Sequence, residues 1–246
     1  MAQKIITFAN HKGGVSKTTI GACMAMKGKK VLLVDLDGQA NLTLYFIPNE
    51  DEIEMSIFDS LVNGVPLPVK HIRENLAIVP SSLEMASAEI ALTNLLARER
   101  LLSNLLEPVR KDYDYILIDC PPSLGIVTTN AFIAADEIIV PMTPELLPLK
   151  GMRMLDAFVT TLQRVKPSLR LGGVFIARFN HRKLNKVVEQ AVKERYESIT
   201  MNTRIRENIA LAESAGSGKS IFEYDSNSNG AKDYLALTEE ILSRNQ

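Results

Sequence analysis

Lys4-Ile5-Ile6-Thr7-Phe8-Ala9-Asn10-His11-Lys12-Gly13-Gly14-Val15-Ser16-Lys17-Thr18-Thr19 is the stretch that decides the fold. An apolar run of strand character (Ile5, Ile6, Phe8, Ala9) gives way to Asn10 and His11, then to a glycine-containing turn, then to Lys17-Thr18-Thr19. Strand, loop and helix start, in that order, are what a phosphate cradle requires. Backbone N–H groups wrap the phosphates, a lysine reaches the β and γ oxygens, and a hydroxyl holds Mg²⁺. The general pattern G-x-x-x-x-G-K-[ST] is met in part. Ser16 stands before Lys17 in place of glycine, His11 occupies the leading position, and a second lysine, Lys12, opens the loop.

Working outward, Thr18 to Lys27 predicts a helix rich in good formers and ending at Gly28, its N-terminal dipole aimed at the cradle. Val31-Leu32-Leu33-Val34 is a continuous apolar run, as in a buried parallel strand. It delivers Asp35-Leu36-Asp37-Gly38-Gln39-Ala40-Asn41 at its carboxyl end, where open α/β sheets bind ligands. Residues 48–75 read as a polar, partly helical excursion (Met55 to Val62), followed by a strand over Leu76–Pro80. Residues 83–110 are rich in Leu, Ala and Glu at helical spacing and predict one long helix or two short ones. Tyr115-Ile116-Leu117-Ile118-Asp119 is a further apolar strand ending in an acid. A strand and its exit loop over Glu137–Pro144, a helix from about Pro148 to Val165 and a strand at Val174–Asn180 follow. Strands alternating with helices imply an α/β fold, a doubly wound and mostly parallel sheet with a ligand at its carboxyl edge.

The box Lys12-Gly13-Gly14-Val15-Ser16-Lys17-Thr18-Thr19 resembles the deviant Walker A motif of the ParA/MinD group of P-loop ATPases. That family usually has glycine where Ser16 stands. The resemblance extends to Asp35-Leu36-Asp37-Gly38-Gln39-Ala40-Asn41, which is similar to the family's Asp-x-Asp-Pro-Gln-x-Asn with Gly38 in the proline position. It also covers Asp119-Cys120-Pro121-Pro122-Ser123, similar to the Walker B exit, and a tail running through Tyr224-Asp225, Gly230-Ala231 and Tyr234-Leu235. It implies that Gly13, Gly14, Val15, Ser16, Lys17, Thr18 and Thr19 bind ATP or ADP, with Asn180 at the adenine. Thr18, Asp35 and Asp119 would hold Mg²⁺. Lys17 would serve its own ATP, Lys12 the partner's across a homodimer built around two ATP molecules, and Asp37 the attacking water. By the same resemblance the chain is a DNA-partitioning ATPase for a plasmid, chromosome or mobile element. It would bind double-stranded DNA non-specifically as the ATP dimer and release it on hydrolysis. That hydrolysis is expected to be slow and stimulated by a ParB-type centromere-binding protein. The alternative is a relative that positions a protein or membrane-associated cargo without DNA.

Composition sets bounds on this. The chain has 246 residues and is 46% hydrophobic, which suits one domain over 1–246 with no separate N-terminal DNA-binding domain. No signal-peptide pattern or membrane-spanning run is present, so a cytoplasmic protein is expected, and the resemblance implies that it is nucleoid-associated. Two unrelated cysteines, Cys23 and Cys120, read as buried thiols and not as cluster ligands. Ala236 to Gln246 carries Glu239 and Glu240 against Arg244, unlike a basic membrane-binding helix. Gly216-Ser217-Gly218-Lys219-Ser220 imitates a second phosphate loop but lacks the leading glycine, Glu213 standing there, and a preceding strand.

Charge is unevenly distributed. Residues 161–206 hold eleven Lys/Arg against three Glu, so that segment is +8 in a chain of −1, leaving about −9 elsewhere. Such polarity suits a phosphate-contacting surface, with Lys183, Lys186, Arg204 and Arg206 as candidate DNA contacts. Ordinary solvated helix faces are the other reading. Few aromatics are interleaved, which argues against single-stranded nucleic acid. The family often carries an arginine where Ala210 stands.

Overall fold

The computed structural model describes residues 3–9, 16–144, 146–217 and 219–245; of 16, 17, 146–150 and 215 it describes the backbone only. The apolar runs form strands wherever both faces can be covered. In chain order the elements are β1 (Lys4–Phe8), α1 (Ser16–Met26), β2 (Val31–Asp35), α2 (Asn41–Phe46), α3 (Ile57–Asn63), β3 (Lys70–Arg73) and β4 (Leu76–Val79). Then come α4 (Ala88–Ala91), α5 (Leu101–Leu106), β5 (Tyr115–Asp119), α6 (Ile126–Ala134), β6 (Glu137–Met142), α7 (Leu146–Leu162) and β7 (Leu171–Ile176). The chain continues with α8 (Lys183–Tyr196), α9 (Ile209–Gly216), α10 (Ile221–Asp225) and α11 (Asn229–Arg244).

Among the described residues the strands make one sheet in the order β3-β4-β2-β5-β1-β6-β7. All pairs are parallel except β3–β4, an antiparallel edge. Side chains alternate across a strand, so neighbours in sequence enter opposite cores. Ile5, Leu32, Val34, Ile116 and Ile118 join the layer of α3, α5, α6, α7 and α8. Ile6, Phe8, Val31, Leu33 and Leu117 pack on α1 and α11 through Ile20, Met24, Tyr234, Leu237 and Ile241. Each such aliphatic side chain, taken fully out of water, contributes about 1.5–3 kcal/mol. This is the expected doubly wound α/β sheet.

Three expectations need amending or narrowing. The stretch 83–110 takes the second of its two alternatives, the short helices α4 and α5, separated by turns and a tight helical turn at Arg98–Arg100. Ala97, with φ 49°, sits in the left-handed region. The buried Asn130 of α6 holds this break, its Nδ2 donating to the Arg98 carbonyl at 2.6 Å and its Oδ1 accepting from Leu102 N–H at 3.1 Å. Those bonds, from another element, override local helix propensity. Secondly, the polar excursion contains β3, whose alternating half-buried pattern marks an edge strand. Thirdly, β7 runs over 171–176 and ends before Arg178, which has φ 57°. Asn180 therefore lies beyond the strand.

Candidate active site

Three parallel strands end at one level. Phe8 of β1 is the register partner of Asp119 of β5, and Asp119 is that of Asp35 of β2. Continuous aliphatic runs place these ends together, because a buried parallel strand can only present polar groups where it leaves the sheet. Helix α1 starts at Ser16 with no acidic side chain in its first turn, so the positive end of its dipole is uncompensated by its own residues. Thr18 and Thr19, in that turn, are buried. Lys12, Gly13, Gly14 and Val15 lie outside the described residues, as do the side chains of Ser16 and Lys17.

Asp35 is completely buried. Its Oδ2 accepts from the Thr43 N–H at 2.9 Å and the Thr43 hydroxyl at 2.8 Å; its Oδ1 accepts from Asp37 N–H at 3.1 Å. The Thr43 oxygen in turn accepts from Ser81 N–H at 2.8 Å, and the Ser81 hydroxyl donates to the Asp37 carbonyl at 2.7 Å. Burial, and then the like charge of Asp119, push the Asp35 carboxyl up to about 7. Both its oxygens are spent on orienting α2 and the Asp37 turn. Thr43 and Ser81 were not singled out by sequence. The only signal for Thr43 is a hydroxyl placed inside a short apolar helix behind a buried acid, and Ser81 carries none.

Asp37 is half-buried. Its Oδ1 accepts from Gln39 N–H at 3.0 Å, and its Oδ2 receives no donor among the described residues. The next turn is strained: Ala40, with φ 50°, is a left-handed non-glycine residue at the N-terminus of α2. Such conformations cost about 1–3 kcal/mol and gather where chemistry needs a fixed geometry. Gly38 lies so close to the 83–88 segment that a Cβ there would sit 2.8 Å from the Ala86 nitrogen. Close approach of two backbones thus explains glycine at this position.

Asn180 is engaged within the protein. Its Nδ2 donates to Glu207 at 3.1 Å and its Oδ1 accepts from Arg182 N–H at 3.3 Å. Of the basic candidates, Arg204 pairs with Glu189 at 2.7 Å and lies over the Phe179 ring at 4.9 Å. Arg206 pairs with Asp233 at 2.7 Å. Arg170, Arg178, Lys193 and Arg195 are within 4 Å of acidic groups as well, and Lys166 donates to the carbonyls of Ile133 and Ala135. That leaves Arg164, Arg182, Lys183 and Lys186 without an acidic partner among the described residues. Arg182, Lys183 and Lys186 gather at the exposed start of α8, whose first turn holds no acid. Basic side chains at a helix N-terminus suit a phosphate.

Among the described residues no three His, Cys, Asp or Glu side chains converge into a metal cage. A hydroxyl at a helix start beside strand-end carboxylates fits a hard cation such as Mg²⁺, which keeps waters and takes substrate phosphates as ligands. Cys23 and Cys120 are buried thiols that form no disulfide among the described residues. No helix among the described residues is long and apolar enough to cross a membrane.

A protein-family model described as an AAA domain matches residues 3–171. The chain is 38% identical to the sporulation initiation inhibitor protein Soj of Bacillus subtilis, covering 98% of both chains. It is 35% identical to the chromosome partitioning protein ParA of Myxococcus xanthus, over 98% of this chain and 88% of that one. Among solved structures, a cobyrinic acid a,c-diamide synthase from Mycobacterium smegmatis, with bound ATP analogue and magnesium, superposes with a TM-score of 0.86. The two are 29% identical, over 100% of this chain and 96% of the other.

Proposed function

The chain belongs to the ParA-type partitioning ATPases, and from that membership we propose that it is a DNA-segregation ATPase cycling between an ATP-bound dimer on DNA and a released form. One observation carries the reading most: Asp35 and Asp119 stand side by side where β2 and β5 leave the sheet, beside the strand that leads into residues 10–19.

In this reading the amides of residues 13–19 and the start of α1 bind the ATP phosphates, and Lys17 neutralises them. Thr18 and Asp119 would hold Mg²⁺. When bound, the ion supplies charge neutralisation at the phosphates. Asp35 works one step back: its carboxylate fixes the Asp37 N–H, so Oδ2 of Asp37, which receives no donor among the described residues, keeps its place for a proton of the attacking water. Lys12 acts on the ATP of a second copy, as a cation supplied in trans. ATP favours the dimer because each nucleotide then touches both copies. The phosphate surface is assigned to Arg182, Lys183 and Lys186, while Arg204 and Arg206 are paired with Glu189 and Asp233. A ParB-type protein is the stimulating partner.

A second reading, cargo positioning without DNA, is favoured by one observation: seven of the eleven basic groups in 161–206 are already tied to groups of the protein. The test of the enzymatic core is phosphate release from ATP, with sedimentation in ATP, ADP and no nucleotide. Slow Mg²⁺-dependent release and an ATP-specific dimer are expected. A monomer in every state, or no release, would overturn the proposal.

A further inference from the structure

Helix α6 opens a few residues after Asp119, yet its own N-terminal residue, Gly125, offers no side chain to its free N–H groups. The cap comes from far upstream. Glu89 of α4 accepts through Oε2 from Ile126 N–H at 2.8 Å, and its Oε1 lies 3.4 Å from Val127 nitrogen. A Cβ at position 125 would be 2.2 Å from that Oε1, so glycine here is what admits the carboxylate. A carboxylate at a helix start gains both a charge-assisted hydrogen bond and the dipole. The loop between Asp119 and α6 is further tied to the helix by the Thr128 hydroxyl, which donates to the Ser123 carbonyl at 2.5 Å.

The same short segment touches the other loop of the site. Ala86, three residues before Glu89, packs on Gly38, the residue after Asp37. Met85 and Ala88 are buried, so the segment is anchored in the core between these two contacts. Residues 85–89 therefore span from the Asp37 turn to the loop that leaves Asp119.

We propose that Glu89 is a positioning residue for ATP hydrolysis, holding the loop after Asp119 at a fixed distance from Asp37; this rests on the ATPase reading above. Glu89 acts through the backbone N–H groups of Ile126 and Val127 that it caps. Its loss lets the start of α6 and residues 120–125 shift relative to Asp37, which harms the step in which both act and spares the binding of ATP, which the 10–19 stretch carries.

The test uses the full chain with Glu89→Gln, Glu89→Ala, Gly125→Ala and the Glu89→Ala/Gly125→Ala double variant. In nucleotide-free protein, amide exchange should rise at 120–127 and also at 36–40, which Glu89 does not touch. Single-turnover hydrolysis should fall about tenfold or more in Glu89→Ala, with the ATP Kd within about threefold of the parent. Glu89→Gln keeps one acceptor oxygen and should lie between. Gly125→Ala expels the carboxylate, so the double variant should be no slower than Glu89→Ala alone. Parent-like hydrolysis in Glu89→Ala, a loss matched by an equal loss of ATP affinity, or exchange confined to 126–127 would overturn the proposal. Absence of hydrolysis in the parent would overturn the ATPase reading and the kinetic role together, whereas the exchange comparison decides the bridge between the loops on its own.

Discussion

Asp35 and Asp119 are register partners on adjacent parallel strands, and the Asp35 carboxylate is wholly buried beside its neighbour. Burial and that neighbouring charge push Asp35 from its ordinary 3.8 to about 7. The folded protein then holds a proton that the unfolded chain releases, so the stability from this group is complete below about pH 4 and is lost as pH rises towards 7. In nucleotide-free protein with EDTA, the urea midpoint should be higher near pH 5 than near pH 7.5, and Asp35→Asn should flatten that slope. A slope unchanged in the variant would contradict the assignment.

Gly38 carries a second expectation, because it stands in the proline position of the motif that its segment resembles. A Cβ at 38 would meet the backbone nitrogen of Ala86 at 2.8 Å, and backbone cannot rotate away. Gly38→Ala and Gly38→Pro should each cost about 1–3 kcal/mol, the range for overpacking a tight site. Denaturant unfolding reads this directly; a variant as stable as the parent would show that the 83–88 segment yields.

How much of this could be read from the sequence divides along physical lines. Strands such as Val31–Asp35 and Tyr115–Asp119 were legible because a run apolar on both faces has few places to go, and their terminal acids followed. The bracing of Asp35 by Thr43 and Ser81 was not, since it depends on which loops the sheet brings together. Where 83–110 breaks was hidden for the same reason: Leu and Ala at helical spacing allow one helix or two and say nothing of Asn130, which reaches in from α6. The excess of positive charge was visible, but pairing with Asp156, Glu189 and Asp233 needs the tertiary fold.

Lys12 lies in the stretch outside the described residues, so its expectation rests on sequence. Lys12→Ala should retain ATP binding while losing ATP-dependent dimerisation and hydrolysis. Turnover at the parent rate would remove the trans role.

The basic residues should separate into two classes. Lys183→Ala and Lys186→Ala should each weaken DNA binding and reduce the salt slope by about 1, with little change in stability. Arg206→Ala removes a half-exposed pair with Asp233 and should cost roughly 1 kcal/mol or less of stability, with a smaller effect on that slope. The reverse pattern would place the phosphate surface beside Arg206.

The most direct measurement is binding to long double-stranded DNA of arbitrary sequence with ATP, with ADP and without nucleotide, at two salt concentrations. Tight binding with ATP only, falling steeply with salt, is expected of a partitioning ATPase whose α8 start contacts phosphates. Intact ATP hydrolysis with no DNA binding in any state would contradict the DNA cycle and leave cargo positioning as the function.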